Sequence, residues 1–166
     1  MGVDPTKDAL LRSLTSARDH VAGALDGLDA EALTRAVLPT GWSCAGLVQH
    51  LALDVERFWF RAVVAAESAV WDTPNDDDAS GWTLAGDTDP LSVLALYRAE
   101  VRLADEVIAA RPLDVPPARW PADLFGDFRL PDLRAVLLHV LTETSTHAGH
   151  LDAARELIDG RTWMVL

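Results

Sequence analysis

Four long segments of this chain repeat apolar residues at the spacing of an α-helix, and no segment alternates convincingly as a strand would. The segments run from about 5 to 25, from about 43 to 66, from 90 to about 111, and from about 132 to 159. Gly160 follows the last segment, where glycine is a typical helix stop. Four such helices in one chain predict an all-α protein folded as a four-helix bundle.

The second long segment has the clearest pattern. Ser43 is a favourable N-cap residue at its start. Leu47, Leu51, Val55 and Phe58 then mark one face, which we expect to point into the core. A shorter stretch from 29 to 37 predicts one or two further helical turns.

The connections at 67–89 and 112–131 are too long for tight hairpins, so we expect crossover loops. Loops of this length often shape a functional site. Trp71 and Trp82 lie in the first loop and Trp120 in the second, at positions from which they could line the mouth of a pocket.

The length of 166 residues predicts a single domain, 1–166, and a C2 homodimer is the expected assembly if the chain self-associates.

The charge balance argues against several classes of partner. The chain has 26 acidic and 14 basic residues, whereas nucleic-acid-binding proteins usually present a basic surface. We therefore expect no nucleic acid and no membrane as partner, and no apolar run approaches the roughly 20 residues of a membrane span.

The lone cysteine, Cys44, cannot form an intramolecular disulfide, which fits a cytoplasmic protein. It is either a reactive thiol at a helix start or a packing residue, which is the commoner use.

Glu143 and His147 are the strongest candidates for a functional site. Residues four apart share one face of a helix, and this face also carries Val140 and Leu151. A carboxylate does not enter a core without a partner, and a metal ion is one such partner. His50, at the inner face of the second long helix, would add a third ligand. Three protein ligands and one open position are typical of a catalytic metal site.

Spacing alone leaves other arrangements open. His139 and Glu143 are also four residues apart, and His150 lies on the same side of the helix. A buried Glu143–His147 pair could equally form a hydrogen bond or pair with an arginine.

Two motifs resemble the DinB-like (YfiT-like) superfamily of four-helix metalloproteins. They are WSCAGLVQHL and ETSTHAGHLDAARELIDG, and they are most similar to the N-terminal domain of mycothiol-dependent maleylpyruvate isomerase and its short relatives. This resemblance implies that His50, Glu143 and His147 are the metal ligands. His150 stands where many relatives carry glutamine, which implies a position that lines the pocket and contacts a bound cosubstrate. His139 is then a core or edge residue.

The resemblance also implies a chemistry. The metal would be divalent, with zinc expected and nickel or iron as alternatives, and mycothiol would be the cosubstrate. Of the basic residues only Lys7 is a lysine, and this arginine bias, with abundant alanine and aspartate, is typical of GC-rich bacteria. The implied reaction is a thiol-dependent S-transfer or isomerisation of a small electrophile. A metal-dependent hydrolase and a non-catalytic metal-binding stress protein are the alternatives.

Overall fold

The computed structural model describes residues 4–71, 82, 84 and 87–163, and every regular element in these residues is helical. The all-α prediction is therefore confirmed. The elements are α1 (Pro5–Ala24), α2 (Ala30–Thr34), α3 (Cys44–His50) with its direct continuation, the π segment (Leu51–Val64), α4 (Ser68–Trp71), α5 (Val93–Ala109) after a 3-10 turn (Pro90–Ser92), α6 (Ala122–Phe125) and α7 (Leu133–Asp159).

Capping residues mark the ends of the long helices, close to the ends predicted from the sequence. Ser43 Oγ accepts a hydrogen bond from the Gly46 N–H at 3.2 Å, and Asp132 Oδ1 accepts one from the Ala135 N–H at 2.8 Å. These bonds satisfy amides that have no partner inside the helix. Gly160 adopts a φ of 76°, which a residue with a Cβ rarely adopts, and so ends α7.

The π segment changes the predicted inner face of the second long helix. Leu47, Leu51 and Val55 are buried as expected. Phe58, however, is only half-buried, whereas Trp59 and Val63 are buried. Hydrogen bonds from i to i+5 place more residues in each turn, so each residue rotates by less than in an α-helix. Inner positions therefore recur every four residues from Val55 onward.

The four long helices share one hydrophobic core. α1 packs against α7, and the π segment packs against α5 and α7. The core contains buried apolar residues from all four long helices, which is compatible with the predicted four-helix bundle. Within the part of the chain that the structure describes, no helix combines the length and hydropathy needed to cross a bilayer.

Both long connections contain helical turns that the sequence did not predict. α6 lies in the 112–131 connection, where the N–H groups of Ala118 and Arg119 donate to the carbonyls of Val64 and Val63. These bonds hold the connection against the end of the π segment. The 67–89 connection begins with α4, and residues 72–81, 83, 85 and 86 of that predicted loop lie outside the described residues.

A buried ion pair joins three of the long helices. Arg18 of α1 donates from Nε and Nη2 to the Glu56 carboxylate of the π segment at 2.7 and 2.6 Å, and from Nη1 to Asp105 of α5 at 2.8 Å. Arg18 is 5% exposed and Glu56 is 0% exposed. Burial alone would lower the pKa of Arg18, but the two carboxylates raise it, so the guanidinium stays charged. Arg61 and Glu100 form a second pair at 2.8 Å between the π segment and α5.

Candidate metal centre

The structure brings His50, Glu143 and His147 together. His50 is the last residue of α3, and Glu143 and His147 lie one turn apart on α7. One ligand atom from each residue lies within 4.8 Å of the other two. The Nε2 atom of His147 is 3.4 Å from Oε2 of Glu143, and the two imidazole rings are 5.3 Å apart at their centroids. The tertiary fold thus places the Glu143–His147 pair of α7 next to a histidine that is distant in sequence.

This donor set fits a divalent transition metal. Two imidazole nitrogens and one carboxylate oxygen are ligands that zinc and non-haem iron accept. In a tetrahedral site with metal–ligand bonds of about 2.0–2.2 Å, two donors lie about 3.3–3.6 Å apart. All three donors lie within 4.8 Å of one another, and the His147–Glu143 pair, at 3.4 Å, already has this spacing.

A carboxylate orients His50. Oδ2 of Asp54 is 2.9 Å from Nδ1 of His50, which leaves Nε2 of that ring free for a ligand role. Carboxylates that hold the second nitrogen of a ligating histidine fix its tautomer and ring orientation. Asp54 was not predicted as a site residue, although its position four residues after His50 puts both residues on one face of a helix.

His147 lies in surroundings that favour the neutral imidazole. Its burial lowers the pKa, and the neighbouring His50 lowers it further, while Glu143 raises it in part. The neutral ring is the form that binds a metal. The Nδ1 atoms of His147 and His150 are 3.3 Å apart, so one nitrogen must carry a proton and the other accept it. His150 itself is exposed.

Trp82 covers His50 from the predicted 67–89 loop. Its ring stacks on the His50 ring with centroids 4.2 Å apart and an interplanar angle of 16°, and it meets the His147 ring at 5.3 Å. Its carbonyl oxygen approaches α3 so closely that a Cβ on Gly46 would lie 1.9 Å from it. Gly46 therefore permits this approach, and Trp82 takes the position at the site that the sequence suggested.

A pocket of about 770 Å³ opens beside His147 and His150 of α7. Among the described residues its walls consist of residues 38–42, Trp82, His147 and His150. The half-buried Trp42 ring tilts toward the His150 ring at 6.2 Å. A small molecule in this pocket would lie next to His147, one of the three candidate ligands.

Two other candidates from the sequence lie elsewhere. The ring of His139 packs edge-on against Trp59 at 4.6 Å, consistent with a core or edge role. Cys44 is 1% exposed, and burial raises the pKa of its thiol to about 11, so the structure supports packing rather than reactivity.

The amino-acid sequence matches one known protein family. The model of the family described as mycothiol-S-transferase matches residues 9–160, which is most of the chain. Comparisons with curated proteins and with solved structures gave no significant match. The match covers most of α1, all of the other three long helices and the three candidate ligands. The chain therefore belongs to the mycothiol S-transferase family, within the DinB-like superfamily.

Proposed function

We propose that this protein is a metal-dependent S-transferase that joins the thiol of mycothiol to a small electrophile. The observation that carries the proposal is the convergence of His50, Glu143 and His147 beside an open pocket, in a chain of this family. The family name denotes a transferase, so we propose transfer rather than isomerisation.

The proposed reaction is a substitution at carbon. A bond forms between the thiol sulfur and an electrophilic carbon, the bond from that carbon to a leaving group breaks with its electron pair, and the thiol proton passes to solvent. A divalent metal, zinc first and nickel or iron next, would supply the Lewis acidity that makes a thiol acidic at neutral pH.

The residues of the chain have separate proposed roles. His50, Glu143 and His147 would hold the metal, and Asp54 would keep the His50 ring in place through the 2.9 Å contact at Nδ1. His150, exposed at the pocket wall, would contact the bound thiol cosubstrate.

The test compares Glu143→Ala with the wild-type protein, both purified without a histidine tag. We expect metal content and mycothiol-dependent turnover of monochlorobimane to fall together in the variant, while circular dichroism shows an unchanged helical fold. Glu156→Ala is the matched control, because Glu156 is exposed on the same helix.

Three outcomes would contradict the proposal. Turnover that does not need the thiol would indicate a hydrolase. A variant that loses only thermal stability would indicate a structural Glu143–His147 pair. A wild-type protein that takes up no zinc, nickel or iron would show that these residues hold no metal.

A further inference from the structure

Both histidines of the candidate metal centre contact a second side chain that follows them closely in the sequence. Oδ2 of Asp54, four residues after His50, is 2.9 Å from Nδ1 of His50. Nδ1 of His150, three residues after His147, is 3.3 Å from Nδ1 of His147. Residues three or four apart lie side by side on a helix, so the spacing makes both contacts possible. In each case the contact engages Nδ1 of the candidate ligand and leaves its Nε2 for another partner.

The position of Glu143 indicates which nitrogen of His147 would bind a metal. Nε2 of His147 is 3.4 Å from Oε2 of Glu143, a separation that suits two donors to one tetrahedral ion. A neutral imidazole carries one proton, and the nitrogen that binds a metal must be free of it. With Nε2 as the ligand atom, the proton of His147 lies on Nδ1. Nδ1 of His150 is then the acceptor of a hydrogen bond, and the proton of that ring lies on its Nε2.

Ring contacts support this arrangement on the exposed side of α7. The His150 ring lies 5.4 Å from the His147 ring at their centroids, and 6.2 Å from the ring of Trp42. Aromatic rings at such separations attract one another. His150 is exposed as a residue, yet its imidazole has favourable contacts with rings from two different parts of the chain.

We propose that His150 is a positioning residue of the metal centre, which accepts the Nδ1–H of His147 and so holds Nε2 of His147 toward the ion. The proposal rests on the proposed function for the presence of a metal and for the choice of ligands. It gives His147 the kind of partner that Asp54 gives His50, since a ligating histidine is commonly fixed through its second nitrogen. The contact uses Nδ1 of His150 and leaves its Nε2 for the bound cosubstrate.

The first measurement is the zinc affinity of the full-length protein, by competition with a chelating indicator and without any thiol. The absence of thiol separates this role of His150 from a contact with the cosubstrate. His150→Ala should weaken zinc binding by about 10–100-fold, the usual effect of losing such a partner. His150→Gln should recover most of this loss, because an amide oxygen can accept the same hydrogen bond, whereas His150→Leu should not. Thr146→Ala, at an exposed position of α7, is the control and should bind zinc like the wild type.

The second measurement observes the His147 ring directly. Long-range proton–nitrogen NMR spectra of the zinc-loaded protein distinguish a protonated ring nitrogen from one bound to the metal. We expect Nδ1 of His147 to carry the proton, and this proton to exchange with water more slowly in the wild type than in His150→Ala. Circular dichroism and the Tm of the metal-free proteins should be unchanged, because His150 is exposed.

Two results would overturn the proposal: a His150→Ala variant that binds zinc as tightly as the wild type, or a His147 Nδ1 proton that exchanges equally fast in both proteins. A His150→Leu variant with wild-type affinity would also overturn it, since leucine accepts no hydrogen bond. Turnover of monochlorobimane with mycothiol is measured separately on the wild type. If the zinc and NMR results hold and no thiol-dependent turnover occurs, the role of His150 stands and the proposed transferase function fails.

Discussion

Asp54 illustrates how one side chain can set the geometry of a site without touching the proposed metal. Its carboxylate accepts a hydrogen bond from the protonated Nδ1 of His50, when that tautomer is present, across 2.9 Å. Because this contact leaves Nε2 unprotonated, it prepares the ring as a ligand.

Replacing Asp54 with alanine should therefore weaken zinc binding by about 10–100-fold, the usual effect of losing such a partner. Competition with a chelating indicator measures the affinity, and circular dichroism checks the fold. Asp19→Ala is the control, since Asp19 is an exposed helical aspartate on α1. Unchanged zinc affinity in Asp54→Ala would show that Asp54 does not position His50.

At the scale of elements, buried charges decide how the long helices are joined. Arg18 contacts Glu56 on the π segment and Asp105 on α5, so one guanidinium connects three helices. The two carboxylates differ in exposure: the Glu56 side chain is 0% exposed and that of Asp105 is 53% exposed. They should therefore contribute very differently to stability.

Glu56→Gln should lower the free energy of unfolding by about 3–5 kcal/mol, because it leaves the buried Arg18 charge without its main partner. Asp105→Asn should lower it by only about 0–1 kcal/mol, as expected for a solvent-exposed carboxylate. Urea unfolding of both variants gives the two values. Similar losses in the two variants would contradict this ranking.

Local sequence patterns predict some features of the helices and miss others. Caps and stops are local features, so Ser43, Asp132 and Gly160 mark ends close to those observed. The π segment is not visible as a periodicity in the sequence. Its wider turns bury both Glu56 and Phe60, which lie four residues apart on the same side of the segment. The spacing of an α-helix places neither residue on the inner face.

For the molecule as a whole, the proposed metal would connect α3 to α7. A ligand that binds the folded chain and not the unfolded chain stabilises it by mass action. At free zinc about 100 times the dissociation constant this contributes about 2.7 kcal/mol. For a chain of this size that corresponds to a rise in Tm of roughly 5–11 °C.

Differential scanning calorimetry with and without zinc measures this shift. Glu143→Ala should show a much smaller rise, because one of three ligands is missing. A rise of equal size in the variant would place the stabilising zinc at some other site.

Self-association and a cytoplasmic location stay predictions from the sequence.

The sequence by itself determined the features that depend on neighbours along the chain. Helical periodicity specified the long helices, and the four-residue spacing put Glu143 and His147 on one face of α7, because residues one turn apart always share a face. The choice of His50 as their partner came from a family resemblance and not from spacing.

Only the tertiary structure decided which distant groups meet. It placed His50 beside the α7 pair, stacked Trp82 on that histidine, and paired Arg18 with Glu56. Arg18 sits between Leu14 and Val21 in the apolar stripe of α1, which hints that it is buried but does not name its partner. These contacts depend on how whole helices pack and on where long loops return, and no local pattern encodes either one.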